Sequence, residues 1–164
     1  MVPVSELPPV ISTNRFRLPL VSREEAAAAL AGSRAPDWHE DYPRSDDLDA
    51  FSMIKGDSTW GPRHIVRVVD GLVIGSVGFY GPPAPHDDGV PEVEIGYGLV
   101  EYARGHGVAT EVVSGLVAAL DAVDVRVRAR TEPSNAPSLR VLAKCGFTVL
   151  RGPDEDGNLV VSRA

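Results

Sequence analysis

Glu94 to Val113 reads EIGYGLVEYARGHGVATEVV: a strand-like run, a turn holding Gly105 and Gly107, then an apolar-periodic helix. Glycines at such a turn let a ligand approach the backbone, and the first N–H groups of the helix are unpaired and carry the positive end of its dipole. That combination is an anion site, most often for phosphate; the alternative is a tight turn and nothing more. Two phosphate loops do not fit. The P-loop needs Gly-Lys-Ser/Thr, whereas Val108 and Ala109 follow Gly107. The dinucleotide fingerprint needs a small residue where Thr110 stands and an acid ending the next strand, which here ends in Arg130.

Other residues with chemical potential lie nearby. Glu92 and Glu94 are two apart on the same strand, so they share a face and read either as proton acceptors or as solvated acids. Cys145 has no base in a local motif, so it reads as a packing residue and not a nucleophile. His64 and His86 have no ligand-spaced partner, so no metal site is expected.

The elements that must position these residues follow from periodicity. Arg15 to Val21 alternates as a first strand, and SREEAAAALAGS reads as a helix capped by Ser22 and stopped at Gly32. Residues 33–47 read as loop, followed by a short helix ending at Gly56. Two β-rich runs flank the Asp70-Gly71 turn. The next strand is EVEIGYGLV. In the helix after it, Ala109, Val112, Val113, Leu116, Val117 and Leu120 share a face. A strand from Val125 to Thr131, a helix ending at Gly146 and a closing hairpin complete a mixed α/β domain in the order β-α-α-β-β-β-α-β-α-β-β.

Composition narrows the class. Hydrophobic residues are 43% and charged residues 24% of 164, as in an ordinary globular domain. No apolar run of about 18 residues suggests a membrane span, and no secretory signal is expected at the N-terminus. One cysteine excludes an internal disulfide, and the chain reads as cytoplasmic. A net charge of −7 argues against nucleic acid as a partner and leaves cationic partners open.

ARGHGVATE resembles the coenzyme A pyrophosphate loop of the GNAT N-acetyltransferase superfamily, Gln/Arg-x-x-Gly-x-Gly/Ala. EIGYGLV before it is similar to the family's central strand. TEPSNAPSLRVLAKCGF after it is similar to the second signature, with Asn135, Ser138 and Gly146-Phe147 at family spacing, and TNRFRLPLVSREEAAAAL resembles the opening strand and helix. The resemblance covers nearly the whole chain and is nearest to the ribosomal-protein N-terminal acetyltransferase-like subgroup. It implies one GNAT domain over residues 1–164, with an α/β, mostly antiparallel sheet flanked by helices. The implied reaction is transfer of an acetyl group from acetyl-CoA to a primary amine, of a small molecule or a protein N-terminus, by direct attack in a ternary complex. A non-catalytic acyl-CoA-binding sensor or interaction domain of the same fold is the alternative. Homodimers are common among such domains.

The resemblance also implies roles. The diphosphate of acetyl-CoA would sit on the backbone N–H groups of Arg104, Gly105, His106, Gly107, Val108, Ala109 and Thr110, with the glycines keeping Cβ atoms off the phosphate. The pantetheine arm would pair with main-chain groups near Leu99 and Val100, and a backbone N–H near Leu99 would serve the oxyanion. Asn135 would bond the arm, cap its helix, or both. Glu94 would be the general base through a water, with Glu92 second. Leu142 stands where many relatives carry the tyrosine that protonates the leaving thiolate, which leaves Ser138 as the nearest substitute. The base matters most for a side-chain amine of pKa about 10.4, whose neutral form costs about 4–5 kcal/mol at pH 7, against about 1 kcal/mol for an α-amine.

The acceptor wall is expected from the first two helices and their loop. Pro36 to Ala50 holds six acids against Arg44, or −5 of the chain's −7, together with Trp38 and Tyr42. With Tyr80 and Tyr97 these aromatics would line the acceptor site. The acids read either as a mouth for a cationic amine or as a solvated loop.

Overall fold

The computed structural model describes residues 6–54, 56 and 58–163. Nine strands pair into one sheet in the order β1-β2-β3-β4-β6-β7-β9-β8, with the two-residue β5 (Ala84–Pro85) attached to β6. The strands are β1 (Val10–Ser12), β2 (Phe16–Pro19), β3 (Arg63–Arg67), β4 (Val73–Phe79), β6 (Pro91–Leu99), β7 (Arg126–Thr131), β8 (Val149–Pro153) and β9 (Leu159–Ser162). The helices are α1 (Arg23–Leu30), α2 (Ser45–Ser52), α3 (Val108–Asp121) and α4 (Ala136–Lys144). Among the described residues β6 and β7 are the one parallel pair; all others are antiparallel. The expected mixed, mostly antiparallel sheet with flanking helices is present. Two short strands are additional, β1 and β5, each too brief to show a period. The second helix starts at Ser45, inside the expected loop.

Local chemistry accounts for the element ends. Ser22 Oγ accepts the Glu25 N–H at 3.0 Å while Glu25 Oε1 accepts the Ser22 N–H at 3.0 Å, a reciprocal cap that fixes the start of α1. In α2 the Asp47 carboxylate accepts the Arg44 N–H at 2.8 Å. α3 buries Val112, Val113, Leu116, Val117 and Leu120 as its periodicity requires, and Ala109 is half-buried. α1 and α2 pack together on the face of β6 carrying Gly98; α3 and α4 pack on the face carrying Tyr97.

Trp38 and Tyr42, expected on the acceptor wall, are core residues instead. Tyr42 is fully buried against Trp38, Phe51 and His64, and Trp38 is 8% exposed. His64 Nε2 lies 3.1 Å from Glu25 Oε2 and its Nδ1 lies 2.8 Å from Tyr42 Oη. A carboxylate can only accept, so Nε2 carries the proton and Nδ1 accepts from the phenol. Burial lowers the His64 pKa, and Glu25, Asp37 and Asp47 only partly oppose it.

A histidine kept neutral by the fold takes up its proton more readily when unfolded. Its stability contribution is therefore present above the ordinary histidine value of 6.5 and is lost as pH falls from there through the lower folded value. Thermal midpoints should decline from pH 7 to 5.5 in the wild type and decline less in His64→Gln. Parallel curves would assign the slope to other groups.

Candidate active site

The site is organised by β6. β4 pairs with it from Ile95 to Leu99, but β7 pairs only from Glu92 to Ile95. Beyond the Ile95–Ala129 pair, β6 and β7 part. Tyr80 N bonds Glu94 O at 3.0 Å and Val100 N bonds Ile74 O at 2.9 Å. Hydrogen-bonded positions alternate in an antiparallel pair, so Gly96 and Gly98 also turn their polar groups to β4. The N–H and C=O of Tyr97 and Leu99 therefore point into the opening. Val100 does not share that orientation: its N–H is spent on Ile74 and its carbonyl accepts Ala103 N. Arg104 folds back so that its Nε and Nη2 lie 3.3 and 3.2 Å from Leu99 O and satisfy that carbonyl, which leaves the Leu99 N–H and the main-chain groups of Tyr97 facing the opening.

A recess of ≈ 140 Å3 lies in the opening, between Gly96 and Tyr97 on one side and Thr131, Asn135 and Ser138 on the other. Asn135 Oδ1 accepts the Ser138 N–H at 3.2 Å, so Asn135 caps α4. Ser138 Oγ lies 2.8 Å from Tyr97 Oη. Burial raises the Tyr97 pKa, although the Ser138 hydrogen bond opposes it. Leu142 is buried at 1% exposure.

At one end of the opening stands the glycine turn. Gly105 and Gly107 adopt φ of 81° and 73°, a left-handed backbone that glycine accepts without strain. A Cβ at Gly105 would meet no protein atom, and one at Gly107 only Arg15 Nη2 at 3.7 Å, so on the protein side these glycines serve conformation rather than space. The first helical bond of α3 runs from Glu111 N to Gly107 O at 3.1 Å, and no side chain caps the helix. The N–H groups of Val108, Ala109 and Thr110 thus have no partner within the helix. Arg104, Gly105, His106 and Gly107 are exposed beside them.

On the other face of β6 a cleft of ≈ 860 Å3 runs under α2. It exists because β6 is bare there. A Cβ on Gly98 would lie 1.9 Å from Arg44 Nη2, and one on Gly96 would lie 2.8 Å from Tyr80 Oη. Arg44 is fixed by Asp47, whose buried carboxylate also accepts from Ser76 Oγ. Asp46 and Asp49 are exposed on the rim. Tyr80 lines this cleft as expected of an acceptor-wall residue; Tyr97 borders it, but its side chain turns to Ser138 on the other face of β6.

The two candidate bases differ. Glu92 is 3% exposed and is bonded by Arg126, Arg128 and Arg151, with His86 Nδ1 at 3.4 Å. Burial pushes its pKa up, but Arg151, Arg128 and Arg126 outweigh burial and hold it at about 2. A carboxylate so held has no basic lone pair to offer, which removes it as second base. Glu94 shares the Glu92 face, and its side chain is 11% exposed. Its Oε1 takes Arg128 Nε at 3.1 Å and Arg130 Nη2 at 3.3 Å, while Oε2 has no hydrogen bond among the described residues.

The GNAT acetyltransferase domain model matches residues 14–148. The chain belongs to the GNAT acetyltransferase family. It is an acyltransferase. Its fold is similar to that of an acetyltransferase from Agrobacterium tumefaciens, at 22% identity and TM-score 0.64, covering 100% of this chain and 99% of that one. It is similar to a ribosomal-protein alanine acetyltransferase from Vibrio fischeri, at 16% identity, 94% and 95% coverage and TM-score 0.63. It is also similar to RimL, a ribosomal α-N-protein acetyltransferase solved with coenzyme A, at 16% identity, 94% and 97% coverage and TM-score 0.68. No curated protein matches the sequence significantly. No helix among the described residues is long and apolar enough to cross a membrane, and no cluster of potential metal ligands occurs among them.

Sequence reasoning missed Arg15, which contacts the glycine turn, and the seat of Arg44 on Gly98. Both are long-range contacts without a local pattern. Asp47→Ala should lose the α2 cap and the anchor of Arg44, destabilising the protein by about 2–3 kcal/mol in denaturant titration. A cost equal to that of Asp46→Ala would show that Asp47 anchors nothing.

Proposed function

We propose that this protein acetylates a primary amine, of a small molecule or a protein N-terminus, by direct attack within a ternary complex. The observation that carries the reading is the departure of β6 from β7. It opens a slot with unpaired main-chain groups that runs from a glycine turn with free N–H groups toward a cleft on the opposite face.

Acetyl-CoA supplies the thioester. The N–H groups of Val108, Ala109 and Thr110, with the exposed Arg104 to Gly107 segment, would hold the diphosphate. Tyr97 and Leu99 offer main-chain groups to the amides of the pantetheine arm, and one of their N–H groups is positioned to serve the developing oxyanion. Glu94 takes the amine proton, through water, on its free Oε2. Ser138 Oγ gives its proton to the departing thiolate and is reprotonated from water, while Tyr97 Oη, 2.8 Å away, orients it. The Tyr97 phenol, held protonated by burial, thus supports the donor that Leu142 cannot provide.

The acceptor would enter by the ≈ 860 Å3 cleft, past Tyr80 and the carboxylates of Asp46 and Asp49. These acids favour an amine carrying positive charge. RimL's acceptor, an α-amine, belongs to the class that is easiest to deprotonate near neutral pH.

Calorimetric titration with acetyl-CoA and thiol release across an amine panel test the reading. Binding at micromolar levels and turnover of at least one amine are expected; no binding up to millimolar levels would refute it. Glu94→Gln should lower kcat by about 10²-fold near neutral pH and flatten the rise of rate with pH. An unchanged pH–rate profile would remove Glu94 as base.

A further inference from the structure

Thr13 to Arg15 form the turn between β1 and β2, closed by Thr13 N on Phe16 O at 2.8 Å. This turn is docked on the start of α3, almost a hundred residues away. Glu111, in the first turn of α3, accepts Thr13 Oγ1 at 2.6 Å and Arg15 N at 2.8 Å on Oε2, and Arg15 Nε at 2.7 Å on Oε1. Burial alone would raise the Glu111 pKa, but these donors lower it, so the carboxylate stays charged. Four residues on, Gly115 shares the same helix face. A Cβ there would lie 2.6 Å from Thr13 Cγ2, so the turn is pressed against the helix.

The same arginine reaches the glycine turn. Arg15 Nη1 and Nη2 both lie 3.2 Å from His106 O. In a planar trans peptide the carbonyl and the following N–H point in opposite directions. Holding His106 O toward Arg15 therefore turns the Gly107 N–H away from Arg15. Arg15 also answers an electrostatic conflict. A carboxylate in the first turn suits the helix dipole, but it puts negative charge where an anionic ligand must bind.

We propose that Arg15 is a positioning residue for the diphosphate of coenzyme A. It clamps His106 O so that the turn presents its N–H groups, and it neutralises Glu111 so that the start of α3 tolerates a polyanion. The inference rests on reading Arg104 to Thr110 as the diphosphate loop.

The experiment compares wild type, Arg15→Met, Arg15→Lys, Glu111→Gln and the Arg15→Met/Glu111→Gln pair, using acetyl-CoA and S-acetylpantetheine, which lacks the diphosphate. Arg15→Met should raise KM for acetyl-CoA about tenfold, the scale of one lost charged hydrogen bond, with the effect on KM rather than kcat. KM for S-acetylpantetheine should not follow it. Arg15→Lys should recover part of the loss, and adding Glu111→Gln to Arg15→Met should recover part as well. Equal losses for both thioesters would mean a general structural defect and overturn the proposal. So would a wild-type KM in Arg15→Met, or no recovery in the pair. If the wild type itself makes no distinction between the two thioesters, the loop assignment fails first and the role of Arg15 falls with it.

Discussion

Beyond Ile95 the central strand has a hydrogen-bonded neighbour on one side only. Unpaired backbone groups inside a sheet are costly unless something else satisfies them. Here the opening is kept in place by side chains instead of a strand. Tyr97 projects to Ser138 on α4, Asn135 fixes the start of that helix, and Arg104 folds onto Leu99 O. The sheet gives up several ladder bonds, and a slot lined by main-chain donors and acceptors results.

The slot begins where β6 and β7 are most firmly joined. Glu92 on β6 is buried under Arg126 and Arg128 from β7 and Arg151 from β8. Removing one partner from a buried charge cluster is far more costly than the cluster is stabilising, so such a cluster acts as a fixed rivet. Three strands are tied at the root of the split. The Ile95–Ala129 pair is the last in the parallel register, and Glu94, next to it, is held by Arg128 and Arg130. One ladder of alternating acids and arginines thus sets both where the strands part and where the free Glu94 Oε2 lies.

The parts written in local pattern could be read from the sequence. The Ser22 cap, the Asp70-Gly71 hairpin, the buried stripe of α3 and the Gly105/Gly107 turn each depend on neighbours within a few residues. The shared face of Glu92 and Glu94 was equally plain, but their difference was not. It depends on arginines 34 to 59 positions away in sequence. The acidic segment from Pro36 to Ala50 misled for a related reason. Trp38 and Tyr42 look like binding aromatics by type, yet His64 and Phe51 give them a core to join. Asp47 belongs to the same acidic run, but Arg44 and Ser76 claim it. Spacing reveals which face a residue shares; only the tertiary partner decides whether its charge is free.

The free charge that remains is distributed by task. Asp46 and Asp49 stand at the rim of the cleft under α2, while Arg104 stands at the glycine turn, where Arg15 is already paired with Glu111. In the proposed reaction an amine and a polyanionic thioester must meet on one strand, and each would be drawn to its own side of the sheet. A net charge of −7 would oppose approach of the polyanion if it were uniform. Pairing Glu111 with Arg15, and Asp47 with Arg44, leaves those acids locally neutralised near the reacting ends. Each arginine neutralises a carboxylate, and Arg44 also occupies the place that Gly98 leaves open, where a Cβ would lie 1.9 Å from its Nη2. Adding a side chain at Gly98 would therefore disturb charge as well as shape.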